Sequence, residues 1–254
     1  MKTKLTILSL AFSAIIYCQN NQTEQYKVIK VQGEIQRLKT GYLLSTGDEF
    51  ESNENLSFKT DFSRAAVISP LKGRFILTAQ GNRNSNKLYF LPPVNNLSLR
   101  AGLCSSPSDI LEYFNGDVLF LGTDSLKFDV TKIQLDQNNF FAISYINENS
   151  EIIDKLLPDK GVLVIVKDTI FKSFIPKTAK IKYQTQNSTG QVNEFTPIFP
   201  EKDKLIKEVN LIISNSTGKS KKEIIEDVAV YLNDFYGKVN IGEVDQWMKT
   251  NLNF

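Results

Sequence analysis

Acid–base chemistry in this chain would have to use carboxylates, because its 254 residues include no histidine. Ser-His-Asp and Cys-His catalysis are therefore excluded, as are zinc sites that use imidazole. A hydrolase that uses Asp and Glu alone remains an alternative, and so does a carboxylate Ca²⁺ or Mg²⁺ site, although no EF-hand pattern is present. We interpret most acids as turn formers, since spacing alone shows no convergence. The turn acids are Asp48, Glu49, Asp117, Asp124, Asp136 and Asp159.

Two other patterns have a chemical interpretation. Gly218-Lys219-Ser220 resembles the end of a phosphate-binding loop, but Ile213 stands where that motif needs glycine, so we predict a turn that leads into a helix cap. A Ser-Lys dyad needs no histidine, but the spacings are those of any lysine-rich chain; they are Ser57-Phe-Lys59, Ser63-Arg64, Ser125-x-Lys127 and Ser220-Lys221. The sequence thus predicts no catalytic, cofactor-binding or metal-binding residue and no cofactor.

Cys104 and the aromatic residues each allow a functional and a structural interpretation. Cys104, in GLCSSPSD, is a reactive thiol or a small buried residue at a strand-to-helix junction, and we predict the second. The aromatic residues could line a glycan or peptide groove, but Phe in β runs is more often core. The aromatic residues considered are Tyr89, Phe90, Tyr113, Phe114, Phe120, Phe140, Phe141 and Tyr145.

The N-terminus has the pattern of a cleavable secretory signal over residues 1–18. Lys2 and Lys4 precede LTILSLAFSAIIY, which is apolar and too short to span a bilayer as a helix. Cleavage after Cys18 is the first expectation. Lipidation of Cys18 is the alternative, and Tyr17 disfavours it, because a lipobox has a small residue at that position. We therefore expect an exported protein in the periplasm or cell envelope, with membrane attachment only if Cys18 is lipidated.

The charge balance bears on the class of partner. The chain has 30 basic and 28 acidic residues, and without Lys2 and Lys4 the two counts are equal. Nucleic-acid binders usually show a basic excess or stripe, so we predict no nucleic-acid partner.

Residues 26–79 predict short antiparallel strands separated by turns. YKVIKV, EIQRL, EFE, LSFK, RAAVIS and GRFILTA alternate with segments that contain Gly, Asn or Pro, which is typical of a small barrel or sandwich. VQGEI at 31–35, Gly41, LSTGDEF at 44–50, LSFK at 56–59 and RAAVI at 64–68 resemble a FecR-type β domain over residues about 28–78. The chain departs from that family at PLKGRFIL, where an Asp-Gly-Ser turn is usual. The resemblance implies a β fold and an exported binding role.

The remainder of the chain divides into three parts. Residues 80–100 predict a linker or extended segment, because QGNRNSNKLY is polar and Asn-rich. Residues 101–200 predict a second β-rich unit with a short helix after Ser106 and a tight hairpin turn at Thr123-Asp124. Residues 201–254 predict two or three helices, one of them opened by the capping box Ser220-Lys-Lys-Glu223. We expect these helices to pack across the chain's own sheet.

We therefore predict an α+β fold with an N-terminal antiparallel barrel or sandwich, a second β-rich unit and C-terminal helices. The favoured function is an exported, non-enzymatic, envelope-associated module that binds a protein or polysaccharide partner. The alternatives are a histidine-free hydrolase that uses Asp and Glu, and a lipoprotein subunit of an envelope assembly.

Export makes a prediction about the mature N-terminus. Intact-mass spectrometry of the protein purified from its native envelope fraction should show a chain that begins at Gln19. The Cys18→Ser variant should give the same mature mass, because simple cleavage needs no thiol at that position. A full-length mass would contradict export by this route, and an acylated Cys18 that is lost in the Ser variant would establish the lipoprotein alternative.

Overall fold

The computed structural model describes residues 23–79, 89–91, 104–121, 125–186 and 188–254, with side chains for all of these except 89–91, 188 and 189. A strand-rich region is followed by three C-terminal helices, which confirms the predicted α+β class. The predicted signal segment and most of the predicted linker lie outside the described residues, as do Asp124 and Cys18.

The N-terminal part is a two-layered sandwich. Its larger layer, sheet 1, is antiparallel, and its strands from edge to edge are β3 (Glu49–Glu51), β1 (Gln25–Gln32), β5 (Arg64–Ser69), β6 (Gly73–Thr78) and β7 (Tyr89–Leu91). The smaller layer is a ribbon of β2 (Ile35–Arg37) and β4 (Leu56–Phe58). Strand β7 lies within the predicted linker or extended segment, and its backbone pairs with β6.

Glycines form the turns of this sandwich, as the sequence predicts. Gly33, Gly41 and Gly47 have φ angles of +78°, +74° and +94°, which other residues rarely adopt. At Gly33 a Cβ atom would also lie 2.7 Å from Oγ of Ser63, so this turn needs glycine for space as well as for conformation.

Sheet 1 is buried on both faces. Val28 and Val67 pack against the β2–β4 ribbon, whereas Ile29 and Ala66 pack against the C-terminal helices. The pairing of β1 with β5 shifts register between Val28 and Lys30, and Val28 and Ile29 are both fully buried in different cores. Such a bulge interrupts the regular alternation of side chains between the two faces of the sheet. Sheet 1 therefore lies between the β2–β4 ribbon and the C-terminal helices.

The second β-rich unit contains another five-stranded sheet, sheet 2. Its strands from edge to edge are β11 (Ser150–Leu156), β10 (Phe140–Asn147), β13 (Ala179–Thr185), β14 (Ser188–Ile198) and β8 (Gly116–Leu119). A ribbon of β9 (Ser125–Asp129) and β12 (Val162–Val166) shares its core, together with helix α1 (Pro107–Tyr113); a short helix, α2 (Lys167–Ile170), follows β12. Helix α1 begins as predicted, because the carboxylate of Asp109 accepts hydrogen bonds from the backbone N–H of Ser105 and Ser106.

Two expectations for this unit change. The predicted hairpin at Thr123-Asp124 is wrong, since β8 pairs in parallel with β14 whereas β9 pairs with β12. Strand β14 was not predicted; it forms an antiparallel hairpin with β13 and pairs in parallel with β8, whose residues come about 80 positions earlier. A parallel pair of this kind has no local turn to reveal it.

The edge strand β11 carries a half-buried acid. Asp154 lies opposite Ile143 of β10, and Ile143 is fully buried. The Oδ2 atom of Asp154 is itself buried and has no hydrogen-bond partner. A carboxylate thus points toward the core side of the outermost strand of sheet 2.

Three helices close the structure: α3 (Lys202–Ser214), α4 (Lys221–Phe235) and α5 (Ile241–Leu252). Their apolar faces form one core with sheet 1, which also takes in Leu119 and Leu121 from the end of β8. The predicted packing of the helices across the chain's own sheet is confirmed. Ser220 caps α4 as predicted: its hydroxyl accepts from the backbone N–H of Glu223, whose carboxylate accepts from the backbone N–H of Ser220.

Buried charges join the helices to sheet 1. Arg74 of β6 donates to Asp234 of α4 at 2.9 Å, and both side chains are less than 5% exposed, at 4% and 3%. Nearby, the buried carboxylate of Glu208 accepts from the hydroxyls of Tyr231 and Tyr236, each at 2.6 Å. These contacts fix the helices on the sheet in one position, because a displaced partner would leave a charge buried without compensation.

The Arg74–Asp234 pair gives a prediction about stability. Asp234→Ala should lower the free energy of unfolding by about 3–5 kcal/mol, because Arg74 would remain buried without its counter-ion. The double variant Arg74→Met, Asp234→Leu should recover most of this loss, and urea unfolding measures both. Glu226→Ala, which removes an exposed ion pair with Lys222, is the control and should change stability by less than about 0.5 kcal/mol. A small effect of Asp234→Ala would contradict the assigned role of the pair.

Candidate functional site

A cleft of about 480 Å³ lies where the second β-rich unit meets the C-terminal helices. Four parts of the chain form it: the end of β8, strand β9, the segment that leads into α3, and helix α5. Its lining residues are Phe120, Leu121, Ser125, Lys127, Pro200, Lys202, Leu205, Glu243, Gln246, Trp247, Thr250 and Asn251. The volume lies within the range of small-ligand sites, which often form at junctions between structural units.

Apolar and polar side chains divide the cleft into a floor and a rim. Phe120, Leu205 and Trp247 are buried and make the floor. Gln246 and Thr250 are exposed on successive turns of α5 and belong to the rim. Trp247 is only 4% exposed, so it supports the floor and offers no open stacking surface.

Glu243 is the one carboxylate among the described lining residues. It stands in the first turn of α5, whose cap residue Asn240 accepts a hydrogen bond from the backbone N–H of Gly242 at 2.7 Å. Oε1 of Glu243 accepts from the backbone N–H of Lys127 at 3.2 Å. Oε2 is buried and has no hydrogen-bond partner. Burial raises the pKa of this carboxyl to about 7, although the N–H and the charge of Lys127 oppose the shift.

The contact with Glu243 uses the side of β9 that faces away from β12. Strand β9 pairs with β12, while the backbone N–H of Lys127 points to Glu243 and the carbonyl of Asp129 accepts from the N–H of Cys104 at 3.0 Å. Ser125 and Lys127 are two positions apart on this strand, so their side chains share one face. The structure therefore places Ser125-x-Lys127, one of the Ser-Lys spacings of the sequence, together in the cleft lining.

Other sequence candidates have structural roles. Gly218-Lys219-Ser220 is the predicted turn into the cap of α4, with Gly218 at φ +84°, and helix α3 precedes it. The hydroxyl of Ser63 contacts Thr60 in a turn, and Ser57 lies on β4. Ser57-Phe-Lys59 and Ser63-Arg64 are therefore parts of strand and turn structure.

Two of the acids predicted as turn formers behave as predicted, whereas the prediction is wrong for Glu49, which lies on β3, and for Asp117, which lies on β8. Asp48 accepts from the backbone N–H of Ser45 at 2.9 Å, and Asp136 accepts from those of Asn138 and Asn139 at 2.7 and 2.8 Å. In the described part of the chain, no three His, Cys, Asp or Glu residues are grouped so that they could hold a metal ion.

Cys104 and most of the aromatic candidates are core residues, as expected. Cys104 is buried, and burial raises the pKa of its thiol to about 11, which keeps it protonated. Phe140 is half-exposed beneath the ammonium of Lys155, which lies 3.9 Å from the ring centre. The side chains of Tyr89 and Phe90 lie outside the description, and the buried or partly buried core members are Tyr113, Phe114, Phe120, Phe141 and Tyr145.

Sequence reasoning missed Glu243 as a site residue. An acid in the first turn of a helix is ordinary, because the helix dipole stabilises a negative charge there. Its burial depends on β9, more than a hundred positions away, and no local pattern indicates that contact.

Comparison of the chain with protein-family models, with curated proteins and with solved structures finds no match. Among the described helices, none is both long and apolar enough to cross a membrane.

The pKa of Glu243 predicts a pH-dependent stability. Between about pH 4.5 and about pH 7 the folded state retains a proton on Glu243 that the unfolded chain loses, so the free energy of unfolding should fall as pH rises through this window. In Glu243→Gln this decline should be smaller by about 3 kcal/mol, because the amide keeps an acceptor for Lys127 and does not titrate. Urea unfolding across the pH range measures the difference. Glu226→Gln on α4 is the control, and parallel curves for the wild type and Glu243→Gln would contradict the assignment.

Proposed function

We propose that this protein is an exported, envelope-associated binding module that holds a segment of a partner in the cleft between β9 and α5. The observation that carries the proposal is the cleft itself, with its apolar floor, amide and hydroxyl rim and two lysines, Lys127 and Lys202. Sites with this mixture orient a ligand through a few polar groups while the floor excludes water.

The lining supports binding more directly than turnover. Hydrolysis of a glycan by two carboxylates needs a pair roughly 5–10 Å apart. Among the described residues of the cleft wall, Glu243 has no carboxylate partner of this kind. The remaining side chains suit recognition, since amides and hydroxyls both donate and accept hydrogen bonds.

Export is the second part of the proposal. It rests on the signal pattern of residues 1–18 and on the resemblance of residues about 28–78 to FecR-type β domains, which are exported. Attachment to a membrane is included only for the case in which Cys18 is lipidated, and the protein would then be a lipoprotein subunit of an envelope assembly.

A carboxylate hydrolase is the second candidate, and one observation favours it. Glu243 has a pKa of about 7 and lines a cleft, and a general acid works best when its pKa is near the working pH. In that case Glu243→Gln would abolish turnover of a bound polysaccharide. Binding without any turnover by the wild type would favour the first proposal.

The test is a capture experiment with a blocked cleft. The tagged wild type, Thr250→Trp and Lys222→Trp are used to capture partners from native envelope extract, and mass spectrometry and glycan analysis identify what is retained. Thr250→Trp places an indole on the cleft rim, whereas Lys222→Trp places the same group on an exposed position of α4. We expect the wild type and Lys222→Trp to retain one stoichiometric partner and Thr250→Trp to lose it. Equal retention by all three would contradict a role for the cleft.

A further inference from the structure

We infer that the ligand of the β9–α5 cleft is an anionic glycan, whose acidic groups pair with Lys127 and Lys202 and whose binding is coupled to protonation of Glu243. This inference rests on the proposed function and adds to it the chemical class of the ligand and the control of its affinity. The acidic group is a carboxylate or a phosphate diester, which share the single negative charge that the lysines would recognise.

The charges around the cleft favour an anion. Lys127 and Lys202 are both exposed in its lining, and neither has an ion-pair partner among the described side chains. Among the described lining residues, the carboxyl of Glu243 is the one acid, and it lies near the charge of Lys127. An anionic ligand would supply the missing counter-charge in a partly desolvated setting, where such pairs are stronger than on an open surface.

The other titratable groups close to Glu243 are paired with an opposite charge or neutral, so they add no net charge to the cleft. On its own helix, Asp245 pairs with Lys249 at 2.7 Å. From α1, Tyr113 faces Glu243, and burial together with the Glu243 charge raises the pKa of this phenol well above its ordinary value, so it stays neutral. At the start of α3, Glu201 pairs with Lys204 at 2.9 Å, outside the cleft lining. Glu243 is thus the group whose charge opposes an anion in the cleft.

Glu243 is held so that its charge can change without loss of the fold. Its Oε1 atom keeps the hydrogen bond from the backbone N–H of Lys127 in either state, because a neutral carboxyl also accepts through its carbonyl oxygen. Its Oε2 atom has no hydrogen bond that would fix the ionised form. An anion bound nearby would favour the protonated form, and by linkage protonation would favour the anion by the same factor.

The rim points to a glycan as the carrier of that anion. Gln246 presents its amide, and Thr250 and Asn251, whose hydroxyl and amide N–H donate to the backbone carbonyls of Gln246 and Trp247, present oxygen acceptors along the same helix. These groups match the hydroxyls of a sugar ring. The equal numbers of acidic and basic residues beyond Lys4 make a nucleic acid a poor alternative, since its recognition needs a broad basic surface.

The experiment is calorimetric titration of the mature protein with three tetramers: galacturonate, its methyl ester, and galactose joined by phosphate diester bonds. The first and third remain ionised near neutral pH, and the ester removes the charge at constant shape. Protonated Glu243 is about nine-tenths of the total at about pH 6 and about one-tenth at about pH 8, so at least one acidic tetramer should bind roughly tenfold more tightly at the lower pH. The tetramer that binds more tightly identifies the acidic group as carboxylate or phosphate.

Substitutions test which residues produce the affinity for the acidic tetramer and its pH dependence. Glu243→Gln should bind the acidic tetramer equally at both pH values, with the affinity that the wild type has at the lower one. Lys127→Met and Lys202→Met should each weaken binding by roughly two- to fivefold, and Lys222→Met should leave it unchanged. Equal binding of the methyl ester, or pH-independent binding by the wild type, would overturn the inference. If no tetramer binds while Thr250→Trp still loses the native partner, this inference fails and the proposed function stands; if Thr250→Trp retains the partner, the proposed function fails by its own test.

Discussion

Burial of sheet 1 on both faces is the constraint on which the remaining structure depends. Because Val28 and Ile29 are consecutive and both fully buried, one face needs the β2–β4 ribbon and the other needs the C-terminal helices. A sheet exposed on the second face would leave a continuous apolar surface in water. The helices that cover this face also pack against Leu119 and Leu121 of the second β-rich unit. The cleft forms where these helices and that unit meet.

The interface between the C-terminal helices and sheet 1 contains both apolar and polar contacts, and these two kinds of contact have different effects. Apolar packing supplies most of the stability but tolerates small displacements, whereas the buried pair of Arg74 with Asp234 and the bonds of Glu208 to two tyrosines are satisfied in one arrangement. Gly237 adds a steric restriction at the turn between α4 and α5, because a Cβ there would lie 2.5 Å from the carbonyl of Asp117. The position of α5, and with it that of Glu243, follows from these contacts.

The sequence predicted those parts of the fold that local chemistry determines. The glycine turns of sheet 1, the capping at Ser106 and Ser220, and the helical faces of the last fifty residues all depend on neighbours within a few positions. The parallel pairing of β8 with β14 and the separation of β8 from β9 depend on contacts between distant segments, and the turn signal at Thr123-Asp124 carries no information about such partners. The cleft was unpredictable for the same reason, since Glu243 meets Lys127 across 116 positions.

Asp154 has a consequence for how these molecules behave at high concentration. Strand β11 is an outermost strand of sheet 2, and an outermost strand offers backbone groups that a second molecule could pair with to extend the sheet. Such joining would bury Asp154 still more deeply, next to a core that already leaves its Oδ2 atom without a hydrogen bond. The carboxylate makes edge-to-edge assembly costly, and it therefore protects the folded monomer against polymerisation.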